Sequence, residues 1–242
     1  MKNEIGIIKA IFRYPVKSMA GMEISNSKMG FHGLEGDRRF AFRRVENKSG
    51  FPFLTASKLP EMILFKPFSK KENDQSLIPG HVCTPEGKVL ELQSNELSED
   101  ISQRYGSEVQ LMHFDRGIFD EASISLISNQ TILKIEKDSG RPLDIRRFRH
   151  NILIETKSGN SFEEDNWVGR TIYFGEESNA PAVSLTLRDK RCVMVNLDPE
   201  TSESDANVMK SIVRLNENNA GVYGTVIKTG NIFAGQKIYF SD

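Results

Sequence analysis

The chain has 242 residues, 27% of them charged and 38% hydrophobic, with a formal net charge of −1 at pH 7. This is the composition of a folded chain, long enough for one large domain or two small ones, and its charge balance argues against nucleic acid as a partner. No apolar run approaches the roughly 18 residues that span a bilayer, and residues 1–6 lack the apolar centre of a signal peptide, so a cytoplasmic protein without a membrane segment is expected.

The first predicted element is a strand over 5–12. Ile5, Ile7 and Ile11 fall on one parity with Lys9 among them, and Ile8, Ala10 and Phe12 on the other, which reads as a strand apolar on both faces. Pro15 ends it, because proline cannot donate to a ladder. Further strands are predicted over 40–45, 108–114, 151–155, 171–174, 183–187, 193–197 and 224–228. Residues 69–76 are polar without periodicity and read as a solvated loop. A first helix is predicted over 97–105, stopped by Gly106. A second follows Ser128, carries Ile132, Leu133 and Ile135, and stops by Gly140. The third has Ser202 or Ser204 as its N-cap, acidic residues in its first turn, and Val208, Met209, Ile212, Val213 and Leu215 as its apolar face. Many short strands with few helices indicate a β-rich α+β fold. The weakest join lies near 115–120.

Only two cysteines occur, Cys83 and Cys192, with no CxxC pair, so neither a disulfide framework nor a Cys-rich zinc or iron–sulfur site is expected. Cys83 lies in a turn-rich segment without basic neighbours and reads as structural. Cys192 follows Arg188, Lys190 and Arg191. Cations beside a thiol favour the thiolate, the form that ligates soft metals and attacks electrophiles. The alternative is a buried structural cysteine beside a surface charge run.

Three further basic sites fall at predicted strand ends: Lys17 with Ser18, Arg38 with Arg39 in a glycine-containing loop, and the three arginines Arg146, Arg147 and Arg149 ahead of the strand at 151. Such side chains, with free backbone amides in glycine loops, suit phosphate or another anion; taken singly, each also reads as an ordinary solvated group. No P-loop, dinucleotide fingerprint or nucleophile elbow is present. Asp37, Asp165 and Asp198 have no interpretable pairing.

The order of motifs is more informative than any one of them. YPVKS (14–18), GLEGDRRF (33–40), FLTASKLPEM (53–62), RRFRHNILIE (146–155), DNWVGRTIYFG (165–175) and RCVMVNLDPET (191–201) resemble the MOSC-domain proteins that carry an N-terminal MOSC β-barrel domain, a group that includes the mitochondrial amidoxime-reducing component and its bacterial relatives. The resemblance spans residues 5–239. It implies an N-terminal barrel-like domain over 1–115 and a MOSC β-barrel with a few helices over 116–242, the boundary softened by a first strand that crosses over.

It also implies the molybdenum cofactor, a phosphate-bearing pterin dithiolene, with Cys192 as catalytic residue and metal ligand. Lys17, Ser18, Arg38, Ser123, Arg149, Asn151 and Arg191 would be cofactor contacts, with His150 departing from the proline of the family's FRPN-like segment. Pyridoxal phosphate is not expected. The implied activity is reduction of small N-oxygenated (N-hydroxylated) compounds. Its electrons would come from a separate ferredoxin- or reductase-type protein, because the chain has no cysteine set for a cluster. The alternatives are sulfur transfer through a Cys192 persulfide, and non-catalytic carriage of the cofactor.

Overall fold

The structure is a computed structural model that describes residues 2–47, 50–70 and 78–241. Most of the predicted polar loop at 69–76 therefore lies outside the described residues. In chain order the strands are β1 (Lys2–Arg13), β2 (Met22–Ile24), β3 (Asn26–Gly30), β4 (Gly33–Leu34), β5 (Phe40–Arg44), β6 (Lys66–Phe68), β7 (His81–Cys83), β8 (Val89–Glu91), β9 (Val109–His113), β10 (Ile124–Ser128), β11 (Ile152–Thr156), β12 (Thr171–Phe174), β13 (Ala182–Lys190), β14 (Asn219–Lys228), β15 (Gly230–Phe233) and β16 (Lys237–Ser241). The helices are α1 (Asn95–Tyr105), α2 (Asn129–Ser139) and α3 (Ala206–Asn216). The fold is α+β and β-rich, as the sequence indicates.

Seven strands close a barrel in the order β11-β10-β14-β13-β12-β16-β1, sealed by pairing of β1 with β11. Closure leaves no free edge within the ring. β10 and β11 run parallel, and α2 lies in the connection between them, as a parallel pair requires. The barrel interior is filled by Ile8, Ile11, Leu126, Ile154, Phe174 and their neighbours. A second cluster, including Phe12, Ile127, Ile135, Phe148 and Ile212, packs α2 and α3 on the outside. A third joins β5, α1 and the turn at Pro60–Leu64 around Phe40, Phe42, Phe65 and Ile101.

β1 serves two cores, and its parity differs from the expected one. Ile5, Ile8 and Ile11 face the barrel interior, whereas Ala10 and Phe12 face the helices. Register shifts between Glu4 and Gly6 on one side and between Ile8 and Ala10 on the other move the inward set, as bulges do.

The start of α2 after Ser128 and the stops of α1 and α2 at Gly106 and Gly140 are as predicted from sequence, while α1 begins at Asn95, two residues before the expected Leu97. Ser94 and Ser128 cap α1 and α2 by accepting from the amides of Leu97 and Thr131, and Gly106 and Gly140 end them in the left-handed conformation. For α3 the cap is Asp205, not Ser202 or Ser204, and its first turn holds no acidic residue. Residues 193–197 do not form a strand. Val193–Asn196 is a 3₁₀ turn that begins at Cys192. Cys83 sits half-buried in β7 rather than in a turn. Among the described residues no helix is long and apolar enough to cross a membrane.

Candidate active-site cleft

Three loops meet where β1, β5 and β11 begin or end. After β1 the chain turns through residues 14–18, and this turn is stitched to the segment before β5: Arg38 N donates to Tyr14 O (2.7 Å), Lys17 N to Phe40 O (2.8 Å) and Phe40 N to Pro15 O (3.1 Å). The third loop, just before β11, is tied in by Phe12 N donating to Asn151 O (2.7 Å) and Asn151 N to Ser125 O (2.9 Å). Ser18 (φ 69°), Arg38 (φ 48°) and Arg149 (φ 50°) all hold left-handed backbone. Non-glycine residues rarely adopt it, and where several cluster the surrounding structure is holding them there.

These loops wall a cleft of about 300 Å³ lined by Lys17, Ser18, Arg38, Arg149, Arg191 and Cys192, six of the eight residues singled out from the sequence. The Cys192 thiol is exposed, which removes the reading of a buried structural cysteine. Lys17 is only 5% exposed, and burial pulls its pKa down against the opposing pull of Asp120, whose Oδ1 accepts from its ammonium at 2.7 Å. The Arg149 guanidinium lies over the Tyr14 ring (4.5 Å) and donates to Met19 O (2.8 Å); among the described residues it makes no ion pair. Burial pushes its pKa down to about 10, so it stays cationic at neutral pH. Burial is the largest single influence on Arg38 and opposes its charge, but Asp37, Tyr223, Tyr14 and Asp120 together outweigh it and the pKa rises.

Asn151 and Ser123 stand differently. The Asn151 amide is engaged inside the protein: Oδ1 accepts from Ser125 N (3.2 Å), and Nδ2 donates to Asp37 Oδ2 (3.0 Å) and Phe12 O (3.3 Å). It braces Asp37, which in turn holds Arg38 and accepts from Tyr14 N (2.7 Å). Ser123 is also buried off the cleft wall, its Oγ without a hydrogen-bond partner among the described residues. His150 is fully buried edge-on to Phe12, with neither ring nitrogen bonded among the described residues.

The basic run before Cys192 is dispersed. Arg188 turns away to Asp165 (2.9 Å) and Glu217 (3.2 Å), while Arg191 pairs with Asp189 and donates to Phe148 O. Asp189 is buried and carries a raised pKa because of that burial, partly offset by Arg191 and Ser125. Nor does the glycine loop offer free amides throughout, since those of Glu35, Asp37 and Arg38 are bonded to Lys28, Leu34 and Tyr14 carbonyls. Side chains therefore dominate the cleft's anion chemistry. The three carboxylates left unassigned from sequence have partners: Asp37 with Arg38, Asp165 with Arg188, Asp198 with Arg147 (2.7 Å).

Sequence reading passed over Asp120, Asp189, Tyr223, Thr55 and Ser57, which also line the cleft. Thr55 and Ser57 lie in the FLTASKLPEM motif, a signal that was present but carried no chemistry by itself. Among the described residues no three His, Cys, Asp or Glu side chains group to hold a metal ion. One exposed thiol amid cations and hydroxyls is a donor set for a metal that arrives on its own anionic organic ligand rather than as a bare ion.

A family model described as MOSC domain matches residues 105–239, and one described as MOSC N-terminal beta barrel domain matches residues 5–124. The mitochondrial amidoxime reducing component 2 of Rattus norvegicus is 22% identical over 292 residues, covering 98% of this chain and 83% of that protein. The YuaD protein of Bacillus subtilis shares the fold, with a TM-score of 0.54 and 13% identity over the full length of both chains.

Proposed function

Since the chain belongs to the MOSC-domain family, we propose that its cleft holds the molybdenum cofactor and reduces small N-oxygenated compounds with electrons from a separate donor protein. The observation that carries this reading is the placement of the exposed Cys192 thiol in one cleft with the buried Lys17 and the half-buried Arg38 and Arg149. The chemistry that the cofactor supplies when bound is two-electron removal of oxygen from nitrogen.

The protein's own part is binding and orientation. Cys192 Sγ is the one protein ligand to the metal. Arg149, which lacks an internal counter-ion among the described residues, and Lys17, whose counter-ion Asp120 is solvent-facing, take the phosphate with Ser18. Arg38 is fixed by the buried Asp37–Asn151 brace and presents its charge without rearranging. Arg191, locked to Asp189 and the Phe148 carbonyl, sets the direction of the chain entering Cys192. Asn151 and Ser123 act behind the wall, not at it.

The test is turnover of an N-hydroxylated amidine by reduced viologen, using protein from a host that makes the cofactor. Wild type and Cys192→Ser should differ by loss of all activity, and Cys83→Ser should stay near wild type. Equal activity in wild type and Cys192→Ser overturns the proposal. The exposure of Cys192 also suits a sulfur carrier. Persulfide on Cys192 in protein that lacks molybdenum and pterin would favour that reading.

A further inference from the structure

Beyond Arg149 lies a second cavity of about 160 Å³, separated from the cleft by Arg147, Arg149 and Met194, which border both. Its apolar lining comes from Tyr14, Ala20, Ile63, Leu197 and Pro199 together with Met194. Gly21 keeps room for the Tyr14 ring, because a Cβ there would sit 2.3 Å from Tyr14 Cε1. An apolar cavity of about 150 Å³ is the size that accepts benzene, so this one has space for a single six-membered ring.

The polar lining is one-signed: Lys66, Arg146, Arg147 and Arg149, with no carboxylate among the lining side chains. Glu200 spans Lys66 (3.2 Å) and Arg146 (2.8 Å), and Asp198 answers Arg147 (2.7 Å). Arg149 alone of the four has no ion pair among the described residues, and only its Nη1 is engaged, by Met19 O.

We propose that this cavity is a binding site for a small monocyclic carboxylate, its ring against Ile63, Met194 and Leu197 and its carboxylate on Arg149. A guanidinium with free N–H groups is the donor best matched to a carboxylate. The lining does not include Cys192, but Arg147, Arg149 and Met194 are shared with the cleft, so the carboxylate site belongs to the cofactor-free chain, in which Arg149 has no phosphate to hold.

The probe is sodium benzoate, titrated into the full chain and followed by amide chemical shifts, with benzyl alcohol as the uncharged control. Benzoate should saturate with a dissociation constant on the order of 1 mM and move the amides of Ala20, Ile63, Met194 and Leu197. Benzyl alcohol should bind at least about tenfold more weakly. In protein prepared without the cofactor, Ala20→Leu, which adds carbon to the cavity, should weaken benzoate at least about tenfold, and Cys192→Ser should leave it unchanged, which separates this site from the fate of the metal reading. On wild type alone, ring protons of benzoate should show cross-relaxation to the Ala20 and Leu197 methyls, a result that does not rely on any variant folding. Absence of saturation by about 50 mM, equal binding of benzyl alcohol, or shifts confined to Lys17, Ser18 and Asp189 would overturn the proposal.

Discussion

Arg149 carries most of the argument at the residue scale. It is a half-buried guanidinium with a left-handed backbone and no ion pair among the described residues, so its charge is available to a ligand rather than to the fold. A charge-assisted hydrogen bond is worth about 1.5–3 kcal/mol, so Arg149→Ala should weaken cofactor retention about 10- to 150-fold. Cofactor remaining after gel filtration checks this; full retention contradicts the assignment. Its neighbour His150 makes a different prediction. Burial, with Arg191 and Arg38 nearby, pulls its pKa down from 6.5 to about 3. Between those values the unfolded chain holds a proton that the folded chain does not, so stability is fully present above pH 6.5 and falls as the pH drops through that window. The slope from this residue approaches about 1.4 kcal/mol per pH unit. His150→Phe should flatten it, measured as the difference in urea midpoints between pH 7 and pH 5 for the two proteins. An identical pH dependence would mean that the imidazole is not held neutral.

At the scale of elements, the glycine at 33 shows what the GLEGD turn is for. Gly33 has φ +97°, and a Cβ there would lie 2.7 Å from Ser123 O. Gly33→Ala should therefore destabilise by more than about 1 kcal/mol, readable as a lowered thermal midpoint, whereas an unchanged midpoint would place Ser123 elsewhere. This contact was not legible in the sequence, where the turn reads as one of three basic strand-end sites suited to an anion. What was legible followed local rules. Ser128 and Gly140 bound α2 and Gly106 stops α1 as the sequence indicates, because capping is a matter of a few adjacent residues.

The misreadings share a physical cause, since tertiary packing decided them. The apolar run after Cys192 looks like a strand but folds as a turn, since Val195 and Leu197 are buried in different clusters while Val193 is exposed. β10 went unnoticed because all five of its residues are buried, which erases the alternation that marks a strand. Left-handed φ at Ser18, Arg38 and Arg149 has no sequence signature in residues other than glycine. Asp120 needed the fold to bring it to Lys17, whereas Asp189 stands two residues before Arg191 and its burial, not its position, is what the sequence hides. The thiol and the cations of the cleft were found through motif order, not through any single motif.

Viewed whole, the chain presents one thiol to one cleft and holds two cysteines in all, too few for a four-thiolate iron–sulfur cluster. The proposed reductive function therefore calls for electrons from a separate donor protein. NADH or NADPH alone should give no turnover of an N-hydroxylated substrate, while reduced viologen, or a ferredoxin-type donor with its reductase, should start it. Steady NADH-driven turnover by the isolated chain would reveal a redox site outside the cleft. The central claim is that this cleft binds molybdenum through Cys192, and metal analysis tests it most directly. Mass-spectrometric molybdenum, with pterin assayed on the same sample, should approach one equivalent in wild type and Cys83→Ser and fall to near zero in Cys192→Ser. Wild-type protein from a cofactor-making host that carries neither molybdenum nor pterin would contradict the account.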